Sequence, residues 1–472
     1  MKLNKLVNSE LDVEIKGVTA DSREVKPGFL FASLNDEAYI KDAVSKGAAA
    51  VIVPENYTGK LPKDVAVICS SDPASTYAGA VAKFFGKVPA HMLAVTGTNG
   101  KTSIADFVRQ ILTMMGYNAA SIGTLGLIKG NEEPLISPNT TPNNVTLHRW
   151  LKELAEQDYT YTVLEASSHG LHQSRLGGVK FEVAGFTNLT RDHLDYHKTF
   201  EDYLDAKMIL FKQNLSEHGT AVLNADIDEF GKIAAVCAKR GQKVISYGAR
   251  GQDIKLISSE PTANGQELEI EYFGQPKTIN ISMVGEFQAM NVLCALGMAA
   301  AITGLPDDVI NYASSIKGAK GRLEFVGTTY TDAAVYIDYA HTPDALENIL
   351  NALRPHATGK LHVLFGCGGN RDTGKRPIMG QIAHDLADVV YVTDDNPRFE
   401  DADDIRNEIV VACPGAYNIA DRAKAIKIAI DNLMPGDVLV LAGKGHETGQ
   451  YVNGEVLPFS DHEEVAKNIA RL

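Results

Sequence analysis

The sequence predicts an α/β chain built from three units. Three observations carry that prediction. The chain has 472 residues, more than one hydrophobic core ordinarily serves, so roughly two to four domains are expected. Its last third alternates apolar runs with amphipathic runs: "VLFG", "VVYVT" and "VLVLAG" read as buried strands, and "RPIMGQIAHDLA", "ADDIRNEIVVAC" and "DRAKAIKIAIDNL" as helices between them. Such alternation implies parallel strands with right-handed crossovers, a Rossmann-like sheet. In the middle of the chain the strand "MLAVTG" runs into a helix that starts at Lys101. The expected division is 1–88, a small mixed α/β N-terminal domain; 89–323, a central domain with a mostly parallel sheet; and 324–472, a C-terminal Rossmann-like domain.

In the first unit "GFLFASL" and "AAAVIVPE" read as strands. "DPASTYAGAVAKFFG" reads as a helix opened by Asp-Pro, and "GKVPAH" as the linker that follows. In the third unit, ligands are expected beyond the carboxyl ends of the strands. The loops there are 366–375 ("GCGGNRDTGK"), 394–401 ("DDNPRFED") and 443–450 ("GKGHETGQ"). If the three strands are parallel, Arg371, Arg398 and Glu447 share one edge of the sheet. The plainer reading of Arg398 is an exposed ion pair with Glu400 or Asp401 at the start of the next helix.

Composition narrows the class. Hydrophobic residues make up 44% and charged residues 22%, as in ordinary globular enzymes. Lys and Arg number 45 against 59 Asp and Glu, a formal charge of −14, which disfavours nucleic acid and anionic membranes as partners. The start, "MKLNKLVNSELDVEIKG", lacks the apolar stretch of a signal peptide, and runs such as "LGMAAAI" are too short to span a bilayer. Cys69, Cys237, Cys294, Cys367 and Cys413 are odd in number and scattered without a CxxC pair. They are expected to be reduced thiols of a cytoplasmic protein, and they argue against zinc.

"AVTGTNGKTS" carries the strongest chemistry. It follows a strand and opens a helix, as a phosphate loop requires. Gly97 and Gly100 let backbone N–H groups, those of Thr98, Asn99 and Ser103 among them, approach phosphate oxygens. Lys101 is placed to reach the outer phosphates and Thr102 to bind Mg²⁺. The helix N-terminus adds favourable potential. The glycines enclose two residues where the usual pattern has four. No Asn-Lys-x-Asp follows a later strand, so ATP is expected rather than GTP. Glu165 ends the apolar strand in "YTVLEASSHGLHQSRL", a good position for a carboxylate linked to a metal; His169, Gln173 and Arg175 follow it. In "GFTNLTRDHLDYH", His193 and His197 would share one face if the stretch is helical. Zinc is the alternative, but no HExxH accompanies them.

Together these residues resemble the Mur ligase family over essentially the whole chain. The motifs are "TGTNGKT", "NTTP", "EASSHGL", "TNLTRDHLDYH", "GRLE", "DYAHTPDAL", "GCGGNRDTGKRP", "DDNPR" and "GKGHE". They are most similar to the MurE type, which adds the third peptide residue to UDP-N-acetylmuramoyl-L-alanyl-D-glutamate in peptidoglycan synthesis. "DDNPR" resembles the form that adds meso-diaminopimelate. The resemblance implies a UDP-precursor domain, a P-loop ATPase domain and an amino-acid domain, with ATP as co-substrate, Mg²⁺ as cofactor, and a monomer in the cytoplasm.

It also implies roles. Lys101 and Thr102 hold phosphates and Mg²⁺; Glu165 and His193 are ligands of the magnesium centre. Lys207 matches the lysine that becomes carbamylated (N6-carboxylysine), on its spacing from His193 (207 − 193 = 14). Without the resemblance it would read as a solvated helix lysine. Asn291 is implied against the adenine, Arg322 and Asp338 at the ATP phosphates and ribose, with His341 beside them. Thr140, Thr141, Ser167, Gln173 and Arg175 are implied for the UDP-muramoyl substrate, and Ser22 for its uridine. Arg371, Asp395, Asn396, Arg398, Gly443 and Glu447 are implied for the incoming amino acid. Two features depart from the family: only "NDEAY" remains of a longer uridine-side loop, and Gln288 stands where Asn is frequent. The rivals are a lysine-adding ligase, a folylpolyglutamate synthetase and a nucleotide-binding scaffold with a dead site.

Overall fold

The computed structural model describes residues 1–34, 38–130, 132–262 and 265–469. The shortened loop "NDEAY" falls largely on residues 35–37, outside the described residues. Among the described residues the strands form sheets of four, ten, six and two strands.

The first sheet runs Gly17–Thr19, Phe29–Ala32, Ala50–Pro54, Ala66–Ser70, every pair parallel. The helix Pro73–Phe85 covers one face. Its start is set by Asp72, whose side chain accepts from Ser75 N, and by the proline at its first turn. It stops at Gly86, which takes a φ of +75°. Tyr77, Ala80 and Val81 of this helix bury against Leu30 and Ile52 of the sheet.

The ten-stranded sheet has a parallel centre. In order across it lie Lys243–Gly248, Leu215–Asn224, Phe181–Phe186, His91–Thr96, Tyr161–Glu165 and Ala119–Gly123. Antiparallel strands extend both margins. The helices Lys101–Met114 and Glu286–Thr303 bury one face through Ile104, Val108, Leu293 and Leu296. The helix Asn144–Glu156 covers the other through Leu147, Trp150 and Leu151. By length and composition, Glu286–Thr303 is apolar enough to cross a membrane, a length the short run "LGMAAAI" does not convey; 67% of it is buried against this sheet's core.

The six-stranded sheet runs Glu324–Thr328, Ala334–Ile337, Val438–Leu441, Leu361–Phe365, Val389–Val392, Tyr417–Asn418. Only its first pair is antiparallel. The strands expected to be parallel are so, with Leu361–Phe365 between the other two. Helices cover both faces: Leu346, Met379 and Ile409 bury on one, Ala425, Ile426 and Val465 on the other. The loops after these strands therefore open on one edge. A hairpin, Gly449–Val452 with Glu455–Pro458, leans on that edge through a bridge from Val452 to Arg398.

Candidate active site

The phosphate loop leaves the strand His91–Thr96 and opens the helix Lys101–Met114. Gly97 has a φ of +141°, and a Cβ there would lie 1.8 Å from Thr187 Oγ1. A Cβ on Gly100, at φ +88°, would lie 2.4 Å from Asn291 Oδ1. Close approach as well as backbone conformation thus requires both glycines. Lys101 Nζ donates to the carbonyls of Gly97 (2.9 Å) and Thr98 (2.7 Å). Lys207 Nζ donates to the same Gly97 carbonyl at 2.8 Å and lies 4.2 Å from the centre of the Tyr203 ring. Burial lowers the pKa of Lys101, and burial with the nearby Lys101 charge lowers that of Lys207 well below the usual range. Thr98 Oγ1 meets Tyr203 OH at 3.3 Å, Asn99 Nδ2 donates to Asp344 Oδ2 at 3.0 Å, and Ser103 is buried.

Glu165 ends its strand 2% exposed. Its Oε2 accepts from Thr102 Oγ1 (2.9 Å) and its Oε1 from Thr124 N (2.8 Å). Arg322 Nη2 donates to Thr102 Oγ1 at 3.1 Å. Hard oxygens of Thr102 and Glu165 therefore adjoin at the mouth of the phosphate loop, a donor chemistry that fits Mg²⁺. No group of three His, Cys, Asp or Glu among the described residues is placed to hold a metal. The unmodified Lys207 amine is a proton donor there, and only a carbamate on it would add another oxygen.

The two histidines converge differently from the helical-face expectation. The helix covers only Leu194–His197, and His193 precedes it at φ +53°. The His193 ring lies 4.7 Å and the His197 ring 5.4 Å from the His169 ring. His193 Nε2 is 3.4 Å from Asp192 Oδ2. Burial pushes the pKa of His197 down to about 4.

Among the residues implied for ATP, Asn291 Nδ2 donates to Gln288 Oε1 (3.0 Å), and Gln288 Nε2 to the Arg322 carbonyl (3.2 Å). Arg322 lies over the Tyr339 ring at 4.7 Å. Asp338 accepts from Leu323 N (2.5 Å) and Ala340 N (2.6 Å), and burial raises its pKa to about 6. His341 Nδ1 faces the Tyr339 carbonyl at 2.9 Å. Next to Glu165, Thr141 Oγ1 donates to the Glu165 carbonyl (2.7 Å) and meets Ser167 Oγ (3.0 Å). Thr140 meets Thr124 through their hydroxyls at 3.1 Å. Arg175 holds Gln173 Oε1 (2.7 Å) and the Thr141 carbonyl (2.8 Å). Ser22 stands apart, buried on the first sheet's side, with its carbonyl accepting from Lys46.

At the edge of the six-stranded sheet, Arg398 Nη1 donates to the Gly369 carbonyl at 2.8 Å. The ion-pair alternative loses its partners: Glu400 binds the buried Arg376 at 2.7 Å, and Asp401 caps the helix Ala402–Val410. Asn396, implied for the incoming amino acid, has its side-chain amide bonded at both ends. Its Oδ1 accepts from Lys444 Nζ (3.1 Å) and Tyr451 N (3.0 Å), and its Nδ2 donates to Glu447 Oε2 (3.0 Å). A carbonyl oxygen has two lone pairs, and both are in use. A Cβ on Gly443 would lie 2.9 Å from Asp395 Oδ2. Arg371 is exposed on its loop.

The family model "Mur ligase middle domain" matches residues 95–299, and "Mur ligase, glutamate ligase domain" matches residues 321–445. A protein of Agrobacterium fabrum, UDP-N-acetylmuramoyl-L-alanyl-D-glutamate--2,6-diaminopimelate ligase, is 47% identical over 100% of this chain and 96% of its own length. The chain belongs to the Mur ligase family. A solved structure of a ligase of the same name superposes on this Mur ligase with a TM-score of 0.71 at 31% identity, covering 99% of this chain and 98% of that one. Folylpolyglutamate synthase of Mycobacterium tuberculosis, solved with ADP, shares the fold: TM-score 0.66 at 19% identity, over 79% of this chain and 92% of that one.

Several contacts of this Mur ligase escaped the sequence reading. Thr124 fixes Glu165, Asp344 holds the phosphate loop, and Lys444 joins Asn396 to Glu447. Lys444 and Asp344 lie in motifs visible in the sequence, "GKGHE" and "DYAHTPDAL"; Thr124 lies in none.

Proposed function

We infer that this chain is an ATP-dependent amide ligase that adds meso-diaminopimelate to UDP-N-acetylmuramoyl-L-alanyl-D-glutamate in peptidoglycan precursor synthesis. The observation that carries the reading is a junction. The phosphate loop of the central sheet and the loop edge of the C-terminal sheet meet through Asn99–Asp344, and Arg322, next to the boundary between the two units, donates to Thr102. One loop activates a carboxylate; the other edge presents an amine. The substrate carboxylate takes the terminal phosphoryl group of ATP, ADP leaves, the amine attacks the acyl carbon, and phosphate departs. Lys101 and the loop N–H groups stabilise charge on the transferring phosphoryl group. Thr141, Ser167 and Arg175 orient the muramoyl dipeptide beside Glu165. The three-part division at 1–88, 89–323 and 324–472 is supported by the separate sheets, with Ser22 on the uridine side.

Mg²⁺ would be held by Thr102, Glu165, His193 and Lys207 as its carbamate, and would offset phosphate charge. Lys207 suits carbamylation because burial beside Lys101 disfavours its ammonium form and so favours the amine that attacks CO₂. Intact mass under non-acidic conditions is expected to show a carboxyl adduct that Lys207→Ala abolishes. An active wild-type enzyme without any adduct would remove this role. Cytoplasmic location and a monomeric state complete the reading.

The decisive residue for the amine is Arg398. Its planar guanidinium suits the second carboxylate of diaminopimelate, which lysine lacks. Arg398→Ala is expected to lower kcat/KM for meso-diaminopimelate by roughly 10³-fold while leaving the slow lysine reaction nearly unchanged. An equal small loss with both amines would restore the lysine-adding alternative.

A further inference from the structure

Asp395 and Glu447 lie on neighbouring loops at the carboxyl edge of the C-terminal sheet, and Lys444 lies between them. Lys444 is 0% exposed. Its Nζ is 3.1 Å from Asn396 Oδ1, 3.4 Å from Glu447 Oε2 and 3.6 Å from Asp395 Oδ1. A buried ammonium is tolerated only where such partners surround it. Two carboxylates and one ammonium leave one negative charge, which matches one incoming ammonium. Without Lys444 the two carboxylates would lose the ammonium that lies 3.6 Å from one and 3.4 Å from the other.

The same amine reaches Arg398 through Asn396. Asn396 Oδ1 also accepts from Tyr451 N at 3.0 Å, tying the turn to the hairpin Gly449–Val452. The hairpin then grips Arg398 itself: Arg398 N donates to the Tyr451 carbonyl (2.9 Å) and Asn453 N to the Arg398 carbonyl (2.6 Å). Arg398 sits at φ +53°, a conformation that a non-glycine residue adopts only when its surroundings impose it. Lys444, Asn396 and the hairpin supply those surroundings.

We propose that Lys444 is a positioning residue of the amine site, which sets the carboxylate of Glu447 and, through Asn396, the turn that aims Arg398. Lys444 touches no reacting atom; it acts through these side chains. The proposal deepens the function inferred above and rests on this edge receiving diaminopimelate.

The test uses the full-length enzyme and three variants, Lys444→Met, Lys444→Arg and Lys444→Gln. Meso-diaminopimelate is titrated at saturating ATP and UDP-muramoyl-dipeptide, and ATP is titrated separately. Lys444→Met is expected to raise KM for diaminopimelate about 10- to 100-fold, the loss that follows an unmade buried hydrogen bond, with KM for ATP unchanged. Lys444→Arg restores most of it. Combined with Glu447→Gln, Lys444→Met costs less than the product of the single losses, because both act on one unit. If Lys444→Met lowers the melting temperature but leaves KM for diaminopimelate unchanged, or raises both KM values equally, Lys444 is structural only. Should Lys444→Met fail to fold, Lys444→Gln and Lys444→Arg are judged by the same split. Wild-type turnover with meso-diaminopimelate against lysine is measured first. No turnover with diaminopimelate overturns the amine assignment, and the Lys444 variants are then read on the amine that is used.

Discussion

At the scale of single residues, Asp338 combines opposing effects. Two backbone N–H groups and Arg322 favour its carboxylate, and burial opposes it. Burial wins, and the pKa stands at about 6 against an ordinary 3.8. The folded chain therefore keeps a proton that the unfolded chain has already lost between those values. By linkage, folded stability attributable to Asp338 falls as pH rises from 3.8 to about 6 and is level above that. Melting temperature measured across this window should carry a downward component that Asp338→Asn lacks. Parallel curves for the two proteins would show that Asp338 ionises as it does in water. None of this was legible in "DYAHTPDAL": the motif places the aspartate at a strand end, but burial depends on Leu323 and Ala340 closing over it. Gly97 and Gly100 were legible, because strand, glycines, Lys-Thr and helix are contiguous. Lys444 carries a motif but no hint of its partner, since Asn396 lies on another loop and meets it only through the sheet order.

Among elements, apolar runs punctuated by glycine gave three of the parallel strands of the C-terminal sheet, because buried strands need no alternation. The order of strands within the ten-stranded sheet has no local signature. Nor does the docking of the last helix. Asp461–Ile469 is fixed to the helix Arg422–Asp431 by a pair in which Arg422 Nε and Nη2 meet Asp461 at 2.8 and 2.7 Å, both side chains 0% exposed. Arg422 Nη2 also donates to the Ala442 carbonyl at 3.0 Å, one residue before Gly443. Truncating one partner leaves a buried charge uncompensated. Arg422→Met should therefore destabilise the fold by about 3–5 kcal/mol in denaturant unfolding. Arg422→Met with Asp461→Leu should recover much of that loss, because a well-packed apolar pair removes both desolvation costs. If the double variant is as unstable as the single, the cost lies in packing rather than in charge.

Across the whole molecule, the proposed function requires an acyl phosphate made at one sheet to meet an amine held at another. Asp344 sits in the first turn of the helix Pro343–Leu353, beside the C-terminal sheet. Its Oδ2 accepts from Asn99 Nδ2 at 3.0 Å and from Thr190 Oγ1 at 3.3 Å, both of the central unit. The chain separation, 245 residues between Asn99 and Asp344, is why no local pattern announced the contact. Asp344 binds the tip of the phosphate loop, whereas Lys101 and Thr102 face inward toward Gly97 and Glu165. Its loss should therefore leave nucleotide affinity in place and disturb the alignment of the two halves. Misalignment of reacting groups by even an ångström is costly, so Asp344→Ala should lower kcat for amide formation by about 10- to 100-fold. The ADP dissociation constant, measured by calorimetry, should stay close to wild type. Phosphate release should also outrun amide product, because an acyl phosphate waiting for its amine is open to water. A wild-type kcat, or a loss of ADP affinity that matches the loss of kcat, would place Asp344 in loop structure alone.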